Sequence, residues 1–212
     1  MNTTGCGGGQ VAIAVGGTLK IDGSINAGGG ASGGGAGGSI WLTSGTLLGS
    51  GTIAANCISG AQGGAGGRVA IYQTVATSLG FTGSITVNSV GSSGAGTRYY
   101  QYANKEEGGG TIYFAPGTDK ATLFPMADDG PAKSAYSKAT INLSSGTLYV
   151  RADTKVKDIN ITGGTINLQG HTIRVLSTTH KDGKGWYATY ANCVTEGGGK
   201  IIWVKGLAVT VR

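Results

Sequence analysis

The chain has 212 residues, of which 43 are glycine, and only 12% are charged. The low charge and the 39% apolar content exclude a charge-rich disordered segment, and three prolines exclude a collagen-like chain. The net charge of +6 is dispersed among acidic residues, which disfavours a nucleic-acid partner. No apolar run approaches the roughly 18 residues of a spanning helix, so we expect no membrane insertion.

Glycine tracts alternate with short strand-like segments along the chain. The longest tract, 28–38, leads into segment 39–43, and shorter tracts lead into 68–72 and 111–114. In these segments apolar residues alternate with polar ones, which is the pattern of half-buried strands. Glycine recurring at regular intervals indicates a repeat architecture.

Residues 1–135 carry a repeat of about 28–32 residues. The Gly-Thr-Leu segment 17–19 recurs at 45–47, an offset of 28. The strand segments 39–43 and 68–72 recur at an offset of 29, and the Gly-Thr-Ile segment 51–53 is followed by Gly-Ser-Ile at an offset of 32. Each unit therefore holds a glycine tract, a strand, a Gly-Thr turn and further short strands.

Residues 136–178 carry a tighter period. Segment 141–148 matches segment 159–166 at an offset of 18, and Thr154 and Thr172 continue the match. Eighteen residues hold about three short strands and their turns at about 3.3 Å per residue, which is one coil of a parallel β-helix. Residues 179–212 are predicted as an aromatic loop and terminal strands of the same solenoid.

The sequence predicts an all-β, right-handed parallel β-helix in which glycine-rich excursions pack by backbone contact. Every strand would then be parallel to its neighbour in the next coil, about 4.8 Å away. A β-sandwich is the alternative, but it does not require a fixed 18-residue recurrence. The side chains predicted to face inward are Leu19, Ile21, Ile25, Leu47, Ile53, Val69, Ile71, Ile85 and Val87, followed by Leu148, Val150, Ile159, Ile161, Ile166, Leu168, Ile173 and Val175.

The glycine-rich segments at 63–74, 81–89, 94–100 and 108–117 resemble the repeats of very large bacterial cell-surface, autotransporter-like (adhesin-type) proteins. Segment 145–176 resembles their β-helical passenger segments, and the likeness spans about residues 10–176. The resemblance implies an extracellular bacterial location and a structural or adhesive role. It supplies no catalytic motif to transfer.

The sequence predicts neither a cofactor nor a metal site. The glycine tracts lead into strands rather than helices, so they lack the helix N-terminus of a phosphate-binding loop. They contain no aspartate, so they offer few ligands to a calcium ion. Cys6, Cys57 and Cys193 lack the paired spacing of a zinc site, and the sequence leaves their disulfide pairing open.

One set of charged residues is a candidate for a lyase-like or hydrolase-like site. Arg151, Asp153 and Lys155 alternate along one predicted strand and would share an outer face. A solvated charged face is the favoured interpretation. His171 lies in a predicted turn, and we expect it to have no acidic partner and no catalytic role.

Two aromatic clusters are candidates for ligand or interface contact. The first consists of Tyr99, Tyr100 and Tyr102, and the second of Trp186, Tyr187 and Tyr190. Exposed rings flanked by Asn and Gln can stack on sugar rings or enter protein interfaces, and they can also simply pack under a loop.

The sequence thus predicts a non-catalytic extracellular structural or adhesive solenoid, a rigid rod or filament-forming segment of a bacterial surface protein. Its expected partners are further copies of itself or neighbouring coils of a longer chain, with cell-surface polysaccharide as another possibility. The alternative is a carbohydrate-binding or polysaccharide-cleaving β-helix that uses its charged and aromatic outer face.

Overall fold

The computed structural model describes residues 5–30, 33–58, 63–90, 94–104, 110–114, 121–123, 137–143, 147–150, 152–161, 165–177, 193–194 and 199–203. Over these ranges the chain forms β-strands and no helix. No helix in the described ranges therefore has the length and apolarity needed to cross a membrane.

The N-terminal half of the chain contains the longer strands. Its strands are β1 (Gln10–Lys20), β2 (Ser24–Asn26), β3 (Ser39–Gly49), β4 (Thr52–Ala54), β5 (Arg68–Gln73), β6 (Gly80–Phe81), β7 (Ser84–Thr86) and β8 (Thr97–Gln101).

The C-terminal half is built from shorter strands. They are β9 (Gly110–Phe114), β10 (Ala121–Leu123), β11 (Ala139–Leu143), β12 (Thr147–Val150), β13 (Thr154–Val156), β14 (Asp158–Ile161), β15 (Thr165–Asn167), β16 (Thr172–Val175), β17 (Cys193–Val194) and β18 (Lys200–Trp203).

Stacked parallel strands form the predicted β-solenoid. The main sheet has the order β1-β3-β5-β8-β9-β11-β14, with β6 paired to β3. The other faces of the coils are the sheets β2-β4-β7, β10-β12-β15-β17 and β13-β16-β18. Strands that neighbour one another in a sheet come from successive coils, which a β-sandwich does not produce. The prediction of an all-β solenoid of stacked parallel strands is confirmed.

The strand registers follow the predicted repeats. Ile25 pairs with Ile53 at an offset of 28, and Ile53 pairs with Ile85 at an offset of 32. Thr147 pairs with Thr165 at an offset of 18. The offset of each pair equals a repeat length predicted from the sequence, so one repeat corresponds to one coil.

The predicted match of Thr154 with Thr172 is wrong by one residue, because Thr154 pairs with Ile173. The extra residue lies in the turn at Gln169 and Gly170, whose φ angles are 47° and 84°. The His171 N–H closes this turn by donating to the Leu168 carbonyl at 2.8 Å. Two central residues of positive φ are the mark of a type I′ turn.

One pairing departs from the prediction that every strand is parallel. Strands β8 and β9 are antiparallel, with Tyr99 opposite Ile112 and Tyr100 opposite Thr111. The strands β9, β11 and β14 are parallel to one another, so in this sheet the strands of the C-terminal half run opposite to those of the N-terminal half. The two halves nevertheless share one continuous sheet.

Each half has its own hydrophobic core, and the cores lie on opposite faces of the shared sheet. Successive residues of a strand point to opposite faces, and Tyr100 belongs to the first core while Tyr99 packs against the second.

Most of the predicted inward side chains are buried. The first core contains Ile21, Ala27, Ile40, Leu42, Leu47, Ile53, Ala55, Val69, Ile71, Phe81, Val87 and Tyr100, and Leu19, Ile25 and Ile85 pack against it while partly buried. The second contains Ile112, Phe114, Ala139, Ile141, Leu143, Leu148, Val150, Val156, Ile159, Ile166, Leu168, Ile173 and Val175. The side chain of Ile161 lies outside the described residues.

The glycine tracts pack backbone against backbone, as predicted. The Gly38 N–H donates to the Ala27 carbonyl at 2.7 Å, and the Gly67 N–H donates to the Ala55 carbonyl at 2.8 Å. A Cβ added at Gly38 would collide with the Gly9 carbonyl of the coil before it, and one at Gly67 would collide with the Gly38 carbonyl. Glycine therefore permits an approach between coils that any side chain would prevent.

Candidate functional site

An aromatic stripe runs across the outer face of the N-terminal half. It consists of Trp41 on β3, Tyr72 on β5 and Tyr99 on β8. The rings of Trp41 and Tyr72 stack with centroids 4.9 Å apart and an interplanar angle of 18°. The rings of Tyr72 and Tyr99 are 5.4 Å apart and tilted by 53°. Both separations lie in the range of favourable aromatic pairs.

The strand register explains how the stripe forms. Trp41 and Tyr99 both pair with Ala70 from the two neighbouring strands, and Thr43 pairs with Tyr72. The small side chain of Ala70 leaves the Tyr72 ring room to lie diagonally between the two larger rings. Diagonal neighbours in a sheet are within reach of aromatic side chains.

Hydrogen bonds hold the two outer rings of the stripe in place. The Trp41 Nε1–H donates to Thr43 Oγ1 at 3.1 Å, and the Tyr99 hydroxyl donates to Gln101 Oε1 at 3.2 Å. The indole N–H of Trp41 is thus already satisfied within the protein, so its exposed surface is apolar ring. The side chain is fixed before any ligand arrives.

An open groove lies beside Trp41 and Tyr72, and we refer to it as the aromatic groove. Its volume is about 400 Å³, within the range of small-ligand sites. None of its described lining side chains is charged. They belong to Trp41, Thr43, Tyr72, Gln73, Thr74, Gln101, Tyr102 and Ala103.

The side chain of Gln73, at the end of β5 beside the groove, is buried and hydrogen-bonded. Strand β5 ends at Gln73, although the N–H groups of residues 74–76 still donate to the Ser44 and Gly45 carbonyls of β3. The Gln73 amide supplies a partner further along β3. Its Oε1 accepts the Leu47 N–H at 2.7 Å, and its Nε2–H donates to the Ser78 carbonyl at 3.0 Å. Because buried polar groups are costly when unpaired, these two bonds hold Leu47 of β3 and the segment at Ser78 to the end of β5.

Burial keeps the tyrosine hydroxyls near the groove protonated. Desolvation raises the pKa of Tyr72, and it raises the pKa of Tyr99 to about 12, with a further contribution from the neighbouring Tyr72. Desolvation also raises the pKa of Tyr102, as does Tyr113 to a lesser degree. These groups therefore remain neutral hydrogen-bonding groups well above neutral pH.

The three tyrosines of the first predicted cluster have different positions. Tyr99 belongs to the aromatic stripe and Tyr102 lines the groove. Tyr100 is 8% exposed in the first core and makes an edge contact with Tyr113 at 5.5 Å. Because strand residues alternate between faces, adjacent members of this cluster cannot share one surface.

The charged set is involved in coil stacking. The Asp153 carboxylate accepts the Thr172 N–H of the next coil at 2.8 Å, and its Oδ1 lies 3.7 Å from His171 Nδ1. The prediction that His171 lacks an acidic partner is therefore wrong, since the 18-residue coil places residue 171 beside residue 153. Lys155 pairs with Arg174 in the register of β13 and β16.

Several predicted candidates lie outside the described residues. These are Arg151 and the second aromatic cluster of Trp186, Tyr187 and Tyr190. Cys6 is exposed and Cys57 is buried, and both are free thiols. The described ranges contain no group of three or more His, Cys, Asp or Glu side chains placed to hold a metal ion.

Trp41 and Tyr72 were missed as site residues by reasoning from sequence. Each occupies an outward position of a strand segment that recurs at an offset of 29. Aromatic residues at outward positions of successive coils were the available signal. That signal depends on knowing the register and the face, and local clustering of tyrosines does not provide either.

Comparisons with family models, with curated proteins and with solved structures found no match to this chain. Two features of the molecule itself bear on its function. They are the aromatic groove and the outer edge of β1, which is the edge that does not pair with β3.

Proposed function

We propose that this chain is a non-catalytic structural or adhesive β-solenoid of an extracellular bacterial surface protein. In this proposal its outer edge at β1 stacks with a further coil of the same repeat, supplied by a second copy or by a longer chain. The observation that carries the proposal is the presence of a glycine at position 9.

Gly9 occupies the same tract position as Gly38 and Gly67. At those two positions a Cβ would collide with the backbone of the preceding coil, whereas a Cβ at Gly9 would meet nothing within 4 Å. Gly9 is also not among the residues with a positive φ angle. Nothing in the described structure therefore requires glycine there, but a coil stacked on β1 would require it.

The side chains of β1 support the same interpretation. Val11 and Ile13 pair with Ile40 and Leu42 of the next coil. Ile40 and Leu42 are each 1% exposed, while Val11 and Ile13 are only partly buried against the first core. A further coil would complete their burial, and each buried apolar Å² stabilises by about 25 cal/mol.

The backbone of β1 shows where a further coil would stack. Within the described residues, β1 pairs with β3 along one edge and has no partner along the other. An open edge of this length is a template for another strand. Because the existing coils already pair in this way, stacking requires no new kind of contact.

The alternative of polysaccharide cleavage receives less support from the geometry. Asp153 was the acidic candidate, and its carboxylate is hydrogen-bonded to the backbone of the neighbouring coil. The proposed extracellular location and adhesive role rest on the resemblance of the glycine-rich segments to bacterial surface repeats, and an uncharged outer groove is compatible with them.

Sedimentation velocity and negative-stain microscopy over a range of concentrations test the proposal. We expect the wild-type chain to form concentration-dependent oligomers or filaments, and Gly9→Ala to remain monomeric without loss of stability. Trp41→Ala is the matched control, since it alters the outer face and leaves the edge intact. A wild-type chain that stays monomeric at high concentration contradicts stacking between copies, and a Gly9→Ala variant that assembles normally contradicts the role of the β1 edge.

A further inference from the structure

We propose that the aromatic groove is a saccharide-binding site whose ligand is an uncharged polysaccharide of hexopyranose units. This inference goes beyond the proposed structural role, and it does not depend on coil stacking. It rests on the fixed rings of Trp41 and Tyr72, on the polar groups around them, and on the uncharged lining of the groove.

Trp41 provides the apolar platform. Its side chain is 49% exposed even though Tyr72 stacks against one side of the ring. The bond from Nε1–H to Thr43 fixes the ring, so little side-chain entropy is lost when a ligand binds. A flat aromatic surface of this kind complements the C–H face of a pyranose ring, which is also apolar and nearly flat.

The other lining residues provide hydrogen bonds at the edges of the platform. Thr43 Oγ1 accepts the Trp41 Nε1–H, the Thr74 hydroxyl donates to the Ser44 carbonyl at 3.4 Å, Gln101 Oε1 accepts the Tyr99 hydroxyl, and Tyr102 carries a phenol. Hydroxyl and amide groups can both donate and accept, which suits a ligand whose hydroxyl groups do the same. Apolar lining with a few convergent polar groups is the usual composition of a small-ligand site.

The absence of charge among the lining side chains selects the class of saccharide. An acidic polysaccharide would bring carboxylates or sulfates into a groove that offers them no cationic partner. Even partial removal of water from an unpaired charge is unfavourable. We therefore assign the groove to uncharged glycans, and binding of acidic glycans is an outcome of the test.

The groove is suited to a chain rather than to a single sugar. It is open, and it extends over residues from β3, β5 and the segment that follows β8. The stacked rings of Trp41 and Tyr72 come from successive coils. Because these two rings face each other, a saccharide chain would stack on the exposed part of Trp41 and cross the strands past the edge of Tyr72, with its ends free in solvent.

Calorimetric titration of the whole chain with uncharged oligosaccharides tests the assignment. The probes are glucan, mannan and galactan fragments of about six units, with polygalacturonate and alginate fragments as the acidic comparison. We expect wild-type binding to at least one uncharged probe, with affinity reduced roughly tenfold or more in Trp41→Ala. Trp41→Phe should retain part of the affinity because it keeps a ring.

Controls separate this proposal from the others. Gly9→Ala should bind the probes as the wild type does, whether or not it assembles. Tyr149→Ala removes a tyrosine of β12 that lies outside the groove, and it should also bind as the wild type does. Near-wild-type circular dichroism of Trp41→Ala shows that lost binding is not lost folding. The assignment is overturned if no uncharged probe binds, if acidic probes bind more tightly, or if Trp41→Ala binds as well as the wild type.

Discussion

Tyr99 and Tyr100 are adjacent in β8, yet their side chains pack into two different hydrophobic cores. Tyr100 belongs to the core of the N-terminal half, while Tyr99 packs against the core of the C-terminal half. Strand β8 therefore separates the two hydrophobic cores, at the point where the strands of the shared sheet change direction. Its antiparallel partner β9 presents Ile112 on the Tyr99 side.

Because the two cores are separate, a mutation in one core should destabilise mainly the half of the chain that contains that core. Tyr100→Ala should destabilise the N-terminal half by about 3–5 kcal/mol and Ile112→Ala the C-terminal half by about 2–5 kcal/mol, as for other large-to-small core changes. Hydrogen exchange should show protection lost first in β3 and β5 for Tyr100→Ala, and first in β11 and β14 for Ile112→Ala. Equal loss throughout both halves for both variants would show one cooperative unit instead.

The close backbone contact between coils at Gly9, Gly38 and Gly67 gives a second prediction, which compares two substitutions. Gly38→Ala should lower the free energy of unfolding by at least about 1–3 kcal/mol, because its Cβ would overlap the Gly9 carbonyl. Gly9→Ala should be neutral or stabilising by up to about 1 kcal/mol, since it restricts only the unfolded chain. Urea denaturation at low protein concentration, where stacking between copies is absent, compares the two. Equal effects of the two substitutions would contradict the proposed role of coil contact.

Much of the fold was predictable from the sequence because coil stacking imposes a period on it. The offsets of 28 and 18 residues reappear as the pairs Ile25 with Ile53 and Thr147 with Thr165. Inward residues were predictable for the same reason, since identical positions of successive coils face the same core.

The reversal at β8 and β9 was not predictable in this way. A period describes which residues are equivalent, but it carries no information on strand direction, so an antiparallel junction leaves it unchanged. The aromatic site was only partly predicted for a related reason. Tyr99 and Tyr102 were identified from a local cluster, but Trp41 and Tyr72 contact each other only because coils 29 residues apart are stacked.

The buried amide of Gln73 gives a third prediction. Gln73→Leu leaves the buried Leu47 N–H without its partner, and an unsatisfied buried group costs about 1–3 kcal/mol. Ser78 is exposed, so its carbonyl can accept from water instead of the Gln73 amide. We expect a corresponding fall in thermal stability. Gln10→Leu is the comparison, because Gln10 is exposed on β1 and should change stability little. A Gln73→Leu variant as stable as the wild type would show that water or a rearranged backbone replaces the amide.

The raised pKa of Tyr99 predicts weakening of the fold at high pH. Its folded pKa is about 12 against an ordinary value of 10.0, so above pH 10 the unfolded chain loses this proton more readily than the folded chain does. The stability due to the neutral phenol is therefore complete below about pH 10 and is lost as the pH rises towards 12. Tyr99→Phe cannot ionise at this position, so its stability should fall less steeply between pH 10 and 12, although it loses the hydrogen bond to Gln101 at every pH. Urea denaturation at intervals of half a pH unit measures the two slopes, and parallel slopes would show that Tyr99 ionises equally easily in both states.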